Sequence, residues 1–159
     1  MSNETESTDI SRLKEMAIRG KEYREENEYD YFGESMTLVL QSLPDKKLIP
    51  ITGKLQSKFG MDIEEASEEI EESRDDTGDI DPAKLDAEFV ELMAAAAFEG
   101  IDEEEGDAAG INDADLRAVL GIAEDEGDNI GLRGGLTLEI AQDVLDITDD
   151  AEDAEKFRR

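Results

Sequence analysis

Apolar positions along this chain recur in two rhythms, and the change of rhythm divides it into elements. Ile10, Leu13 and Ala17 are spaced by three and four behind Asp9, which predicts a short capped helix ending near Gly20. The pattern then changes. Glu28-Tyr29-Asp30-Tyr31-Phe32 and Ser35-Met36-Thr37-Leu38-Val39-Leu40-Gln41 flank Gly33-Glu34, and their aromatic and β-branched residues predict a β-hairpin with Met36, Leu38 and Leu40 on one face. An isolated two-stranded hairpin is only marginally stable in water, so this one must lie on a helix or pair with another copy.

Helical spacing returns at Leu48, Ile51, Leu55 and Phe59, a stripe that ends at Gly60. Pro50 lies inside it. A regular helix would therefore begin at Pro50, or run from Pro44 with a kink. Asp62-Ile63-Glu64-Glu65 predicts a capping box opening an acidic helix to about Ser73, with a linker from Arg74 to Ile80. Asp81-Pro82 predicts the next helix start, with Leu85, Phe89, Leu92 and Ala96 as the buried stripe and Gly100 as the stop. Asn112 caps a helix carrying Leu116, Val119, Leu120 and Ala123. Thr137 caps the last one, with Ile140, Ala141, Val144 and Leu145.

No repeat of fixed period is present. The expected fold is mainly α with a small N-terminal β-hairpin, a helical array of about four to six short helices. Its expected segments are a polar tail and short helix over 1–26, a hairpin-plus-helix unit over 27–60, an acidic helical region over 61–148 and a disordered tail over 149–159.

Charge separates these segments further. The 159 residues hold 45 acids against 16 bases, net −29, but residues 1–60 account for only −2 of it and residues 61–159 for −27. There is no cysteine and no histidine. That removes thiolate and imidazole catalysis, Cys/His zinc sites and disulfides, so the expectation is a non-enzymatic protein without a cofactor. Nucleic acid is disfavoured as a partner, because phosphate affinity comes from clustered Lys and Arg. A membrane span is not expected either, since no run of about 18 apolar residues occurs, and the polar N-terminal stretch has no signal-peptide pattern. A cytoplasmic protein follows as the expectation. Acids interleaved with ordinary helical patterning suit molar salt, where the Debye length falls to about 3 Å and self-repulsion is screened. The composition resembles that of proteins from halophilic archaea and their viruses.

Three features invite a site. The acidic loops Asp102–Asp107 and Glu124–Gly127 place glycine fifth and fourth, where an EF-hand loop needs it sixth, so they read as solvated loops. Gly131-Leu132-Arg133-Gly134-Gly135 lacks the lysine and hydroxyl of a phosphate loop and reads as a mobile connector. Lys47, Lys54 and Lys58 are the exception to the acidity. Spaced by seven and four, they form a candidate partner-binding stripe beside Leu48, Ile51 and Leu55, or else a solvated face balancing Glu64, Glu65, Glu68 and Glu69. The acidic half of another copy is one partner this stripe would suit.

The hairpin Tyr29 to Gln41, the following Leu43-Pro44-Asp45-Lys46-Lys47-Leu48-Ile49-Pro50 segment and the acidic C-terminal helices together resemble the tail assembly chaperones of long-tailed viruses, here of a haloarchaeal virus or provirus. The resemblance covers roughly residues 27–148, mostly as order of elements. It implies a protein that binds the tape-measure protein during tail assembly and is absent from the finished particle. A virion structural protein of the neck or tail is the alternative, localised to the particle, and an acidic adaptor or nucleic-acid mimic binding a basic protein is another.

Overall fold

The computed structural model describes residues 12–15 and 24–157. Residues 12–15 form one exposed helical turn, and the rest of the helix expected over 10–18 lies outside the described residues.

The hairpin pairs β1, Arg24–Tyr31, with β2, Glu34–Gln41, antiparallel and in register from Arg24 opposite Gln41 to Tyr31 opposite Glu34. β1 begins four residues earlier than its apolar residues suggest. Phe32 and Gly33 both take positive φ, 52° and 81°, as a tight two-residue turn requires. Leu38 and Leu40 are buried and Met36 packs against the core, so the expected face is the inward one. The hairpin does lie on helices. Its outer strand edge is also met by Ile101, bridged to Leu40, while the Asp102 N–H donates to the Val39 carbonyl at 2.9 Å.

Helix α1, Asp45–Lys54, passes through Pro50 without a break and then widens into one π-turn, Leu55–Phe59, closed by Gly60 at φ 64°. It starts after Pro44 rather than at Pro50. The proline costs the bond its N–H would have made to the Lys46 carbonyl, but it stands on the exposed side, where water can replace that bond. Helix α2, Ile63–Glu72, opens with the expected capping box: Asp62 accepts from the Glu65 N–H at 2.8 Å, and Glu65 accepts from the Asp62 N–H.

The start expected at Asp81-Pro82 makes only a 3-10 turn over Pro82–Lys84. Leu85 is then extended, at φ −114° and ψ 153°, and a second cap at Asp86 starts α3, Ala87–Gly100, by accepting from the Glu88 N–H. Two aspartates five residues apart each offered a cap, and the second leads into the fourteen-residue helix. Helix α4, Asp113–Leu120, is capped by Asn112 as expected and ends at Gly121, which leaves Ala123 outside it. Helix α5, Leu136–Phe157, begins before Thr137 and continues past Thr148, where a tail had been expected from residue 149. The fold class is therefore the expected one, with a longer last helix.

Helix α5 is the hub. Ile140, Ala141, Val144 and Leu145 are all buried, and α2, α3 and β2 pack around them. Gly100 lets α3 approach so closely that an added Cβ would stand 2.4 Å from both Val144 methyls. The Thr148 hydroxyl, also buried, accepts from the Leu43 N–H at 3.0 Å and donates to the Val144 carbonyl. One core cluster runs from Tyr29 to Ile147 with contributions from the hairpin and all five helices. The near-neutral and acidic segments thus share it.

Candidate partner-binding surface

Helix α1 has two faces set by one spacing. Leu48, Ile51 and Leu55 recur at three and four, and all three are buried in the core. They are not offered to a partner. The three lysines of the predicted stripe stay exposed, but two are already matched: Lys47 Nζ is 3.6 Å from Glu99 Oε2, and Lys58 Nζ is 3.2 Å from Glu88 Oε2, both acids on α3. The acids that balance them belong to α3 and not to α2, which the alternative reading had named.

What remains outward is a different row. Lys46, Pro50 and Lys54, spaced by four, run up the exposed side, with Ile49 65% exposed beside them. Among the described residues neither Lys46 nor Lys54 has an ion pair. Gly53 adds no bulk, and the space where its side chain would stand is open. Residues 46–61 contain four lysines and no acid, in a chain of net −29. Lys46 and Ile49 were missed by reading the helix as a lysine stripe alone. Placing them needed the direction of the buried stripe.

The next helix is the converse. Residues 62–72 hold seven acids and no base. Ile63, Ala66 and Ile70 turn inward, which leaves Glu64, Glu68 and Glu72 as an exposed row also spaced by four. Like charges at that spacing repel along a helix.

A second surface lies at the hairpin tip. Phe32 is 82% exposed at a φ that bulky side chains rarely adopt, and it meets the Tyr31 ring edge-on at 4.6 Å. Tyr31 Oη accepts from the Arg133 N–H at 3.0 Å, which ties the tip to the glycine-rich loop. That loop is held in other places too, with the Ile130 and Gly131 N–H groups both on the Ala118 carbonyl. Between it, α3 and the end of α4 is an open groove of about 620 Å³, lined by Val90, Ala94, Ile122 and Leu132 with Glu91 and Arg133 at its polar margin.

Asp143, a half-buried acid of α5, faces the hairpin. Tyr29 Oη donates to Asp143 at 2.6 Å, and burial together with that carboxylate raises the phenol's pKa above its ordinary value. Burial also raises Asp143, against the hydrogen bond from Tyr29, and it raises Glu139 despite nearby Arg74. Arg74 donates to Glu71 and to Gln142, which donates in turn to Glu71 and holds the Glu71 carboxyl below its usual range with it. The acidic loop after α3 is internally engaged. Burial opposes the charge on Asp102, but Arg24 Nε at 2.7 Å and the Glu104 N–H hold its carboxyl below its usual range.

No cluster of histidine, cysteine or acidic residues among the described residues could hold a metal ion, and none of the described helices is long and apolar enough to cross a membrane. No family model matches the chain, and neither a curated protein nor a solved structure matches it.

Proposed function

We propose that this protein is a non-enzymatic assembly chaperone of a salt-rich cytoplasm, one that binds the tape-measure protein of a tailed virus, and that the outward row of α1 is its docking face. The acid-free run 46–61, exposing Lys46, Ile49, Pro50 and Lys54 on a protein of net −29, is the observation that supports this reading. A client helix with its own acidic flank would meet lysines here and carboxylates over most of the remaining surface. Ile49 supplies apolar contact that salt does not screen. The dense negative charge elsewhere keeps chaperone molecules apart at low ionic strength and keeps them hydrated at high ionic strength.

Co-expression in a halophilic host with the tape-measure protein of a haloarchaeal tailed virus is the test. Rescue of that client's solubility, lost in the Lys46→Glu/Lys54→Glu variant, is the expected result. Lack of rescue, together with recovery of this protein from purified particles, would replace the chaperone with a virion component.

A further inference from the structure

The rows on α1 and α2 match each other. Lys46 and Lys54 stand eight residues apart with Pro50 between them, and Glu64, Glu68 and Glu72 span the same eight residues, about 12 Å along either helix axis. Both rows face outward, neither has an ion pair among the described residues, and Gly60-Met61 joins the two helices. We infer that in the absence of a client the α1 face is covered by the α2 face of a second copy, in a reciprocal two-fold dimer. This rests on the reading of α1 as the docking face and adds what occupies it at rest.

Three arguments favour a second copy as the occupant. Charge complementarity is the first: Lys46 and Lys54, in a run 46–61 without an acid, meet Glu64, Glu68 and Glu72, in a run 62–72 without a base. Closure is the second. A two-fold axis that lays α1 on the partner's α2 also lays α2 on the partner's α1, so such a contact is isologous and ends at two copies. Surface shape is the third, since Pro50 and Gly53 keep the centre of the α1 row low and Ile49 gives it an exposed apolar side chain to bury.

Salt sharpens the expectation. Repulsion between two bodies of −29 acts over tens of ångströms and is screened first, whereas contact pairs and apolar burial act within the Debye length of about 3 Å at 1 M salt. The dimer should therefore strengthen from low to molar salt, opposite to a simple complex of oppositely charged partners.

Sedimentation equilibrium of the full chain across a salt series reads this directly. In molar KCl the wild type should be dimeric, and Lys46→Glu/Lys54→Glu or Glu64→Lys/Glu68→Lys/Glu72→Lys should each weaken the dimer by at least about tenfold. Mixing the two variants should restore a dimer, because the acidic α1 of the first then faces the basic α2 of the second at one contact, and the native acidic α2 of the first faces the native basic α1 of the second at the other. That restoration also shows both variants folded. A monomeric wild type, or a dimer that survives both reversals, would overturn the inference. Client rescue is scored separately. A monomer that still rescues the client through α1 removes only the dimer, and a dimer without client binding removes only the chaperone reading.

Discussion

Replacing Gly100 by alanine pits two effects of opposite sign. Within a helix, glycine to alanine gains up to about 1 kcal/mol from backbone entropy, and less in the last turn, where Gly100 stands. Against it, the new methyl would meet Val144 Cγ1 and Cγ2 at 2.4 Å and Val144 Cβ at 3.0 Å, where the end of α3 lies on α5. Val144 is fully buried and cannot swing into solvent. Overpacking of this kind costs about 1–3 kcal/mol, so the net expectation is a destabilisation of about 1–2 kcal/mol. Urea unfolding in molar KCl, followed by far-ultraviolet circular dichroism, measures it. Val144→Ala alone should cost about 2 kcal/mol or more by opening a cavity in the same place. Together the two changes should cost at least about 1 kcal/mol less than their sum, because each relieves the other. A neutral or stabilising Gly100→Ala, or strict additivity in the cycle, would refute the close approach of these helices.

The position of the α3 start can be tested with its two candidate caps: Asp86→Ala should cost about 1 kcal/mol in urea unfolding, and Asp81→Ala distinctly less. Tyr29→Phe should destabilise by about 1–3 kcal/mol, since it leaves the half-buried Asp143 carboxylate short of a donor, and Tyr29→Phe/Asp143→Asn should recover part of that loss. Stability should also respond to pH. Asp143 and Glu139 have folded values raised above the unfolded ones, so the folded state takes up protons first as pH falls and unfolding free energy rises from neutral pH toward about pH 4–5. Below that range Asp102 and Glu71, whose folded values are lowered, lose their stabilising charge and the trend reverses. A pH series of urea midpoints at constant molar KCl checks the maximum, and Asp143→Asn should flatten its neutral side.

Periodicity carried much of this fold because most elements agree locally with their environment. The hairpin face Met36, Leu38 and Leu40, the Asp62–Glu65 capping box, the Asn112 cap and the buried stripe of the last helix were all legible as spacing and capping chemistry. Competition between equal signals was not legible. Asp81 and Asp86 carry the same side chain, and only the second leads into the helix. Nor could spacing give the end of α5, since an acidic stretch past Thr148 reads equally as a solvated helix or as an irregular tail. For the proposed docking face, the sequence distinguished the lysines from the acidic background but not which of them lack an ion pair among the described residues. Lys47 and Lys58 find Glu99 and Glu88 across α3, contacts made at separations of 52 and 30 residues that no local pattern predicts. The hydrogen bonds that tie the glycine-rich loop to Ala118 and Tyr31 are tertiary in the same way.

Hydrogen–deuterium exchange on the full chain in molar KCl, with and without a tape-measure coiled coil, addresses the proposed docking face most directly. At protein concentrations below the dimer's dissociation constant, where α1 is uncovered, exchange in residues 45–59 should slow several-fold on client binding, with α5 unchanged. Protection confined to the hairpin tip and the groove beside it, or none at all while the client is bound, would contradict α1 as the face that holds the partner.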